Sequence, residues 1–382
     1  MSQNEKFDAL NRVLVAFIES TDAMKKAAVD MSPEAALMTG QWLKCPKLEE
    51  KMVEYKTRSD ALSGSCTRLS LVDLANMPVD ALQSLFDEIL QISHGLISTV
   101  MALFGMKLSR PLFDEVHRLA KAELTQVHGL VVSIHTGRFE SCMAAIGQVW
   151  EMNEAIQKLP LTNKVAYKRA LMGVLCVVKD THREFKEARD ESAELNKNKS
   201  LGEDEDEDED EGVDKNMDDG WGVMMDDEED GGFSPEEMPY VNAALSLMEK
   251  TFTFIKVTMD VMALLSEHPP SSTVFTMEST AHLDVEVWVA TVFNIDKQFS
   301  TLVTNLGMEL YAPLSLNSLQ VQYDITYAGI AEVQQQLLEV YETCQKHNFF
   351  NEQSDTKMKN LLGGTKELLT QIDLERVCFI SL

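Results

Sequence analysis

Apolar residues recur at intervals of three, four and seven along nearly the whole chain, the period of a helix with one buried face. Phe7, Leu10, Leu14, Phe17 and Met24 mark the first stripe. A second runs from about Lys47 towards Ala75 through Leu48, Met52 and Tyr55. Pro78 suits the start of a third, which carries Leu82, Leu85, Phe86, Ile89 and Leu90. Ser109-Arg110-Pro111 punctuates, and Leu112, Val116, Leu119 and Leu124 begin a fourth. Gly137 precedes a fifth, with Cys142, Ile146, Val149 and Trp150, and Pro160 ends it. The clearest stripe, Leu171, Val174, Val178, Phe185 and Ala188, predicts a helix from Asn163 to about Leu195. Tyr240 to Leu265 repeats the pattern until His268-Pro269-Pro270 breaks it. Further helices are expected at about Ser279 to Leu310, Leu316 to Lys346 and Asp355 to Arg376. Sustained period-two alternation is absent. The expected fold is therefore all-α, built from long antiparallel helical bundles in which each stripe is buried against partners of equal length.

Charge divides this pattern. Glu203 to Glu211 are nine consecutive acids, inside a glycine-interrupted stretch from about Asn196 to Gly232. Between Glu203 and Glu237 stand 19 acids and one base, Lys215, which account for −18 of the chain's net −28. Like charges repel, and little apolar area offsets the entropy lost on ordering, so a disordered tether is expected there. The expected organisation is a bundle of five or six helices over residues 1–195, an acidic linker over 196–234, and a bundle of about four helices over 235–382. Such a tether repels phosphate, which argues against nucleic acid as a partner. The longest uninterrupted apolar runs, such as Val174 to Val178, are too short to cross a bilayer, so no membrane association is expected. The six cysteines are scattered without C-x-x-C spacing, and with no signal peptide at the start they read as reduced thiols of an intracellular protein; most sit among apolar neighbours, Cys176 especially, and read as small core residues.

Catalytic chemistry has no foothold in the sequence. No phosphate-binding loop, dinucleotide fingerprint, zinc helix or nucleophile elbow is present. A di-metal bundle site needs two Glu-x-x-His motifs, and the nearest substitute is Asp114 with His117. The expectation is a non-enzymatic protein with no cofactor and no metal. The 21 methionines suit either adaptable partner grooves or irregular core packing, and their places on the stripes favour packing. Ser234-Pro235-Glu236-Glu237 reads both as a proline-directed phosphorylation site and as a capping box, with the capping role favoured. Ser200, ahead of the acidic run, resembles an acid-directed kinase site. Within the tether, Trp221, Val223, Met224 and Met225 form either a short docking motif or a segment that folds back onto a bundle. Arg-x-Leu triplets, a loose pattern for docking on cyclins, begin at Arg12, Arg110 and Arg169. Two lie inside amphipathic helices, which leaves Arg110, Leu112 and Phe113, at a helix junction, as the accessible set.

Leu159-Pro160-Leu161-Thr162-Asn163-Lys164, followed by the helix that carries Val177-Val178-Lys179-Asp180-Thr181-His182-Arg183-Glu184, resembles the cyclin-D-binding protein family, also called Grap2-and-cyclin-D-interacting proteins. An acidic tether with an embedded tryptophan and a second helical segment follow in similar order. The likeness is strongest over about Trp150 to Ala188. The resemblance implies bundles like those of vinculin, α-catenin and talin. It also implies an adaptor of cytoplasm and nucleus that binds D-type cyclins and helix-loop-helix factors and restrains cell-cycle progression. The competing expectations are an acidic chaperone for basic proteins such as histones and a cytoskeletal linker of vinculin type.

Overall fold

The computed structural model describes residues 46–70, 78–106, 108–136, 138–202, 232–267, 280–346 and 350–381, with isolated positions between Glu5 and Glu19. Among the described residues the chain is all-α and contains no strand. Nine helices are described in full, in order: α1 Pro46–Ser70, α2 Val79–Gly105, α3 Arg110–His135, α4 Phe139–Gln157, α5 Asn163–Gly202, α6 Met238–Glu267, α7 Thr280–Met308, α8 Leu316–Lys346 and α9 Glu352–Ser381. The hydrophobic stripes place nearly all of them within a few residues. The largest difference is the end of α5, which continues to Gly202 instead of stopping near Leu195. Pro78 stands one position before α2, and Pro111 lies in the first turn of α3, where a missing N–H leaves no helical bond unmade.

Packing gathers the chain into two compact units. The first comprises Met1–Ala170 with Pro269–Ala290, and the second Leu171–His268 with Thr291–Leu382. This division by contact falls inside α5 and α7, apart from the compositional boundary at the acidic stretch. The described residues on both sides of that stretch, Gly202 and Gly232, belong to the second unit.

In the first unit α1 packs against α2 and α4, and α3 packs against α4. Thr99 donates to Glu54 Oε1 (3.0 Å), and Arg68 pairs with Glu88, so rising numbers on α1 meet falling numbers on α2. Trp150 Nε1 donates to Thr67 Oγ1 (2.7 Å) and Gln157 Nε2 to the Lys56 carbonyl (2.9 Å), the same relation to α4. Thus α1 runs opposite to both neighbours. The core holds Met52, Tyr55, Leu62, Leu96, Leu124 and Val149, among others. Each large aliphatic side chain removed from water contributes about 2 kcal/mol.

Within α2, Gln83–Gly105 is long and apolar enough to cross a membrane by length and composition, contrary to the expectation that no run would suffice. Its titratable residues are confined to Asp87, Glu88 and His94. Phe86, Ile89, Leu96, Val100 and Leu103 are buried at helical spacing in the core, while Leu85, Leu90, Ile92, Ile97 and Phe104 are only partly buried against it.

Glu123 lies fully buried in that core. Ser59 donates to its Oε1 (2.6 Å), while Oε2 has no partner. Burial pushes its carboxyl up to about 7, against the Ser59 hydrogen bond, which pulls it down. Between the ordinary value of 4.5 and this folded value, the folded chain keeps a proton that the unfolded chain releases. Stability from this group therefore falls as pH rises through the window, by on the order of 3 kcal/mol, and is level above it. Glu123→Gln keeps an acceptor for Ser59 and removes this slope. Urea unfolding at pH 5 and pH 8 should show the variant gaining on the natural chain by about 1–3 kcal/mol between the two values.

The second unit packs α6 against α8 and α9, and α8 against α9. Tyr323, Ile330, Val333, Leu337, Phe254, Phe299 and Ile372 are buried there. Asp296 is also fully buried, and burial pushes it well above the usual carboxylate range, against the pull of the Thr258 side chain. The crossing of α5 and α7 depends on Gly307. A Cβ at this position would sit 2.6 Å from Phe185 Cε2 and 2.9 Å from Thr181 Cγ2. Gly307→Ala should therefore destabilise the chain by about 1–3 kcal/mol, read as a lower urea midpoint with an unchanged slope.

Candidate partner-binding surfaces

The Pro-x-x-Asn-Lys sequence before α5 is a structural joint. Thr162 Oγ1 accepts the Val165 N–H (3.3 Å), as expected of an N-cap residue. Asn163 is buried, and its Oδ1 accepts the Ser109 N–H (2.8 Å), which ties the start of α5 to the start of α3. Lys56 Nζ donates to the carbonyls of Gln157 (2.8 Å) and Leu159 (2.6 Å), and Arg169 Nη1 donates to that of Lys158 (2.8 Å). These cations satisfy carbonyls at the C-terminal end of α4, where the helix carries partial negative charge. Rigid ends of this kind hold the outer face of α4 in place. On that face Met143 and Trp150 lie seven residues apart and are 56% and 44% exposed. The Trp150 indole is oriented by its bond to Thr67, with an aromatic surface left open to solvent.

In the second unit the residue after the acidic stretch is bound back onto α5. The Phe233 N–H donates to Ser192 Oγ (2.9 Å), and Asn196 Nδ2 donates to the Phe233 carbonyl (2.9 Å). The Phe233 side chain is buried. Immediately afterwards, Ser234 Oγ accepts the Glu237 N–H (3.3 Å) while Glu237 Oε2 accepts the Ser234 N–H (2.9 Å), a reciprocal capping box. Glu237 Oε1 also accepts the Leu314 N–H (2.7 Å). Burial raises the Glu237 carboxyl, but the hydrogen bonds from Leu314 and Ser234 outweigh it and hold the group below its ordinary value. Beside this latch is a cavity of about 310 Å³, lined by Phe185 and Ser192 of α5, Phe233, and Tyr311 of the α7–α8 connection among others.

Residues 54–191 match the family model described as Grap2 and cyclin-D-interacting, N-terminal. Over these residues the chain is similar to the N-terminal domain of the cyclin-D-interacting family. The matched span opens in α1 and closes in α5, one residue before the latch residue Ser192. No curated protein matches the chain.

The cyclin-D-interacting span contains the Arg-x-Leu triplet expected to be accessible, and the structure corrects that expectation. Arg110 is exposed and paired with Asp114 (2.9 Å), but Leu112 is 0% exposed. Phe113 is half-buried, with its ring 4.7 Å from that of Phe104 and stacked on His117. The first turn of α3 points Leu112 into the core, so docking through it would require that turn to open. Ser234 is exposed and occupied as a cap. Trp221, Val223, Met224 and Met225 lie outside the described residues, and the side chain of Ser200 does too. Cys176, expected among the core cysteines, is exposed, whereas Cys66, Cys142 and Cys344 are buried. Met52, Met248, Met262 and Met358 are buried as core packing requires, but Met143, Met172 and Met308 are exposed. Among the described residues, no group of three or more His, Cys, Asp or Glu side chains is arranged to hold a metal ion.

Sequence reasoning assigned Trp150 to a buried stripe and missed the latch altogether. Ser192→Ala removes the acceptor of a buried N–H, a loss of about 1–3 kcal/mol. Hydrogen exchange should show the Phe233 amide at least tenfold faster in this variant, with the amides of α8 unchanged.

Proposed function

We propose that the chain is a non-enzymatic interaction adaptor that binds a D-type cyclin through its cyclin-D-interacting domain. The observation that carries this reading is the family match over residues 54–191. Helix-loop-helix proteins are further partners in this reading, and restraint of cell-cycle progression, in cytoplasm and nucleus, is the outcome. We place the fold with long antiparallel bundles of the vinculin type, in which partner helices lie along exposed helix faces. The face of α4 that presents Met143 and Trp150 supports a docking role. Exposed tryptophan beside a flexible thioether is the chemistry of interface anchors, and an anchor of this kind contributes 2 kcal/mol or more to binding, as an order of magnitude.

An acidic chaperone is the alternative that one specific observation favours: residues 203–231 hold 17 acids against one lysine. The two readings respond differently to salt, because screening weakens capture by exposed charge far more than apolar docking. Binding of a purified D-type cyclin should be measured for three forms at low and high salt. These are the full chain, a form with residues 203–231 replaced by a neutral Gly/Ser linker, and Met143→Ala/Trp150→Ala. The adaptor reading expects salt-resistant binding by the first two and at least tenfold weaker binding by the third. Binding that disappears with the acids or with salt would favour the chaperone instead, and no binding by any form would remove the cyclin assignment.

A further inference from the structure

We propose that the cavity beside the latch in the second unit is a binding site for an arginine side chain that a partner protein presents next to an apolar residue. This site is separate from the α4 face and does not depend on the cyclin reading. Its volume of about 310 Å³ lies at the small end for ligand pockets and suits one long side chain better than a cofactor.

The walls select the chemistry. Phe185, Tyr311, Phe233, Leu195 and Leu310 supply apolar and aromatic surface, while Glu184 and Glu191 are the charged side chains among its lining residues. No lysine or arginine lines it. Two nearby arginines of α5 are committed elsewhere: Arg183 to Asp180 (3.4 Å), and Arg189 to Asp190 and to Asn242 (3.0 Å). Tyr311 packs edge-on against Phe185 at 5.3 Å, and its hydroxyl donates to Glu184 Oε1 (3.3 Å). That bond orients a carboxylate beside an aromatic ring that is itself 63% exposed. An arginine stem would lie along Leu195 and the rings, with its planar guanidinium between Tyr311 and the two carboxylates. Guanidinium fits both demands, since it stacks on aromatic faces and forks onto carboxylates, whereas ammonium is a compact, strongly hydrated charge.

The chain's own acidic segment is a poor occupant. Its 17 acids over 203–231 would be repelled by Glu184 and Glu191. Gly232, where that segment rejoins the described chain, lines the cavity, so its charge adds to the field that attracts a cation.

The probe is a capped peptide with one arginine between two leucines, compared with the same peptide carrying citrulline, the uncharged isostere. Methyl NMR on the full chain should show shifts at Leu195 and Leu310 with the arginine peptide, at least fivefold weaker with citrulline. Glu184→Gln/Glu191→Gln and Tyr311→Ala, all at exposed positions, should each weaken binding at least fivefold without moving the thermal midpoint. Equal binding of both peptides would overturn the proposal, as would binding indifferent to these substitutions. So would binding that survives them and disappears when residues 203–231 are made neutral, because the acids alone would then hold the cation. Cyclin binding is scored separately through Met143 and Trp150, so either assignment can fail without the other.

Discussion

Two hydrogen bonds from α5 to one residue, Phe233, govern the architecture of the second unit. Ser192 accepts its N–H and Asn196 donates to its carbonyl, while the Phe233 ring is buried. The acidic segment therefore begins where α5 ends, at Gly202, and returns beside the same helix at Gly232. Closing a 29-residue polar segment costs about 3 kcal/mol in loop entropy. Two hydrogen bonds at about 1 kcal/mol each and a buried phenylalanine at about 2–3 kcal/mol offset that cost with a small margin. A margin so thin explains why both backbone groups of Phe233 are used. The described residues on either side of the acids, Gly202 and Gly232, both belong to the second unit.

The same helix carries the end of the span similar to the cyclin-D-interacting family. The cyclin-D-interacting match ends at residue 191, so the latch begins where the recognised domain stops. Upstream, Asn163 fixes the start of α5 to α3, and Lys56 and Arg169 complete the end of α4. The outer face of α4 is held by these ends and by the indole bond to Thr67, which pre-orders Trp150. Pre-ordering lowers the entropy a partner must offset on docking. Inside, Glu123 and Asp296 are buried acids whose carboxyls burial pushes up, polar groups within otherwise apolar packing.

Helices were legible because the stripes are long and their breaks carry proline or glycine. The capping box at Ser234 was equally legible, since the partners stand three residues apart and local geometry dictates both bonds. Which face of a helix meets a neighbour was not. Trp150 sits on a stripe with Ile146 and Val149, yet α4 is narrowly covered, so the stripe's edge is open. Cys176 and Leu112 fail in opposite directions for the same reason: the period gives a phase but not the neighbouring helices. The latch left no sequence signal. Ser192 and Phe233 are 41 positions apart, and a serine within a helix ordinarily bonds its own backbone, as Ser192 also does to Ala188 (2.8 Å).

The most direct test of the Phe233 latch is a pulsed-EPR distance between bio-orthogonal spin labels at the exposed positions Glu194 and Glu236 in the full chain. The latch predicts a single narrow, short distance that persists when residues 203–231 are lengthened by a neutral insert. A broad distribution reaching about 30 Å, the span of an unconstrained polar chain of that length, would contradict it.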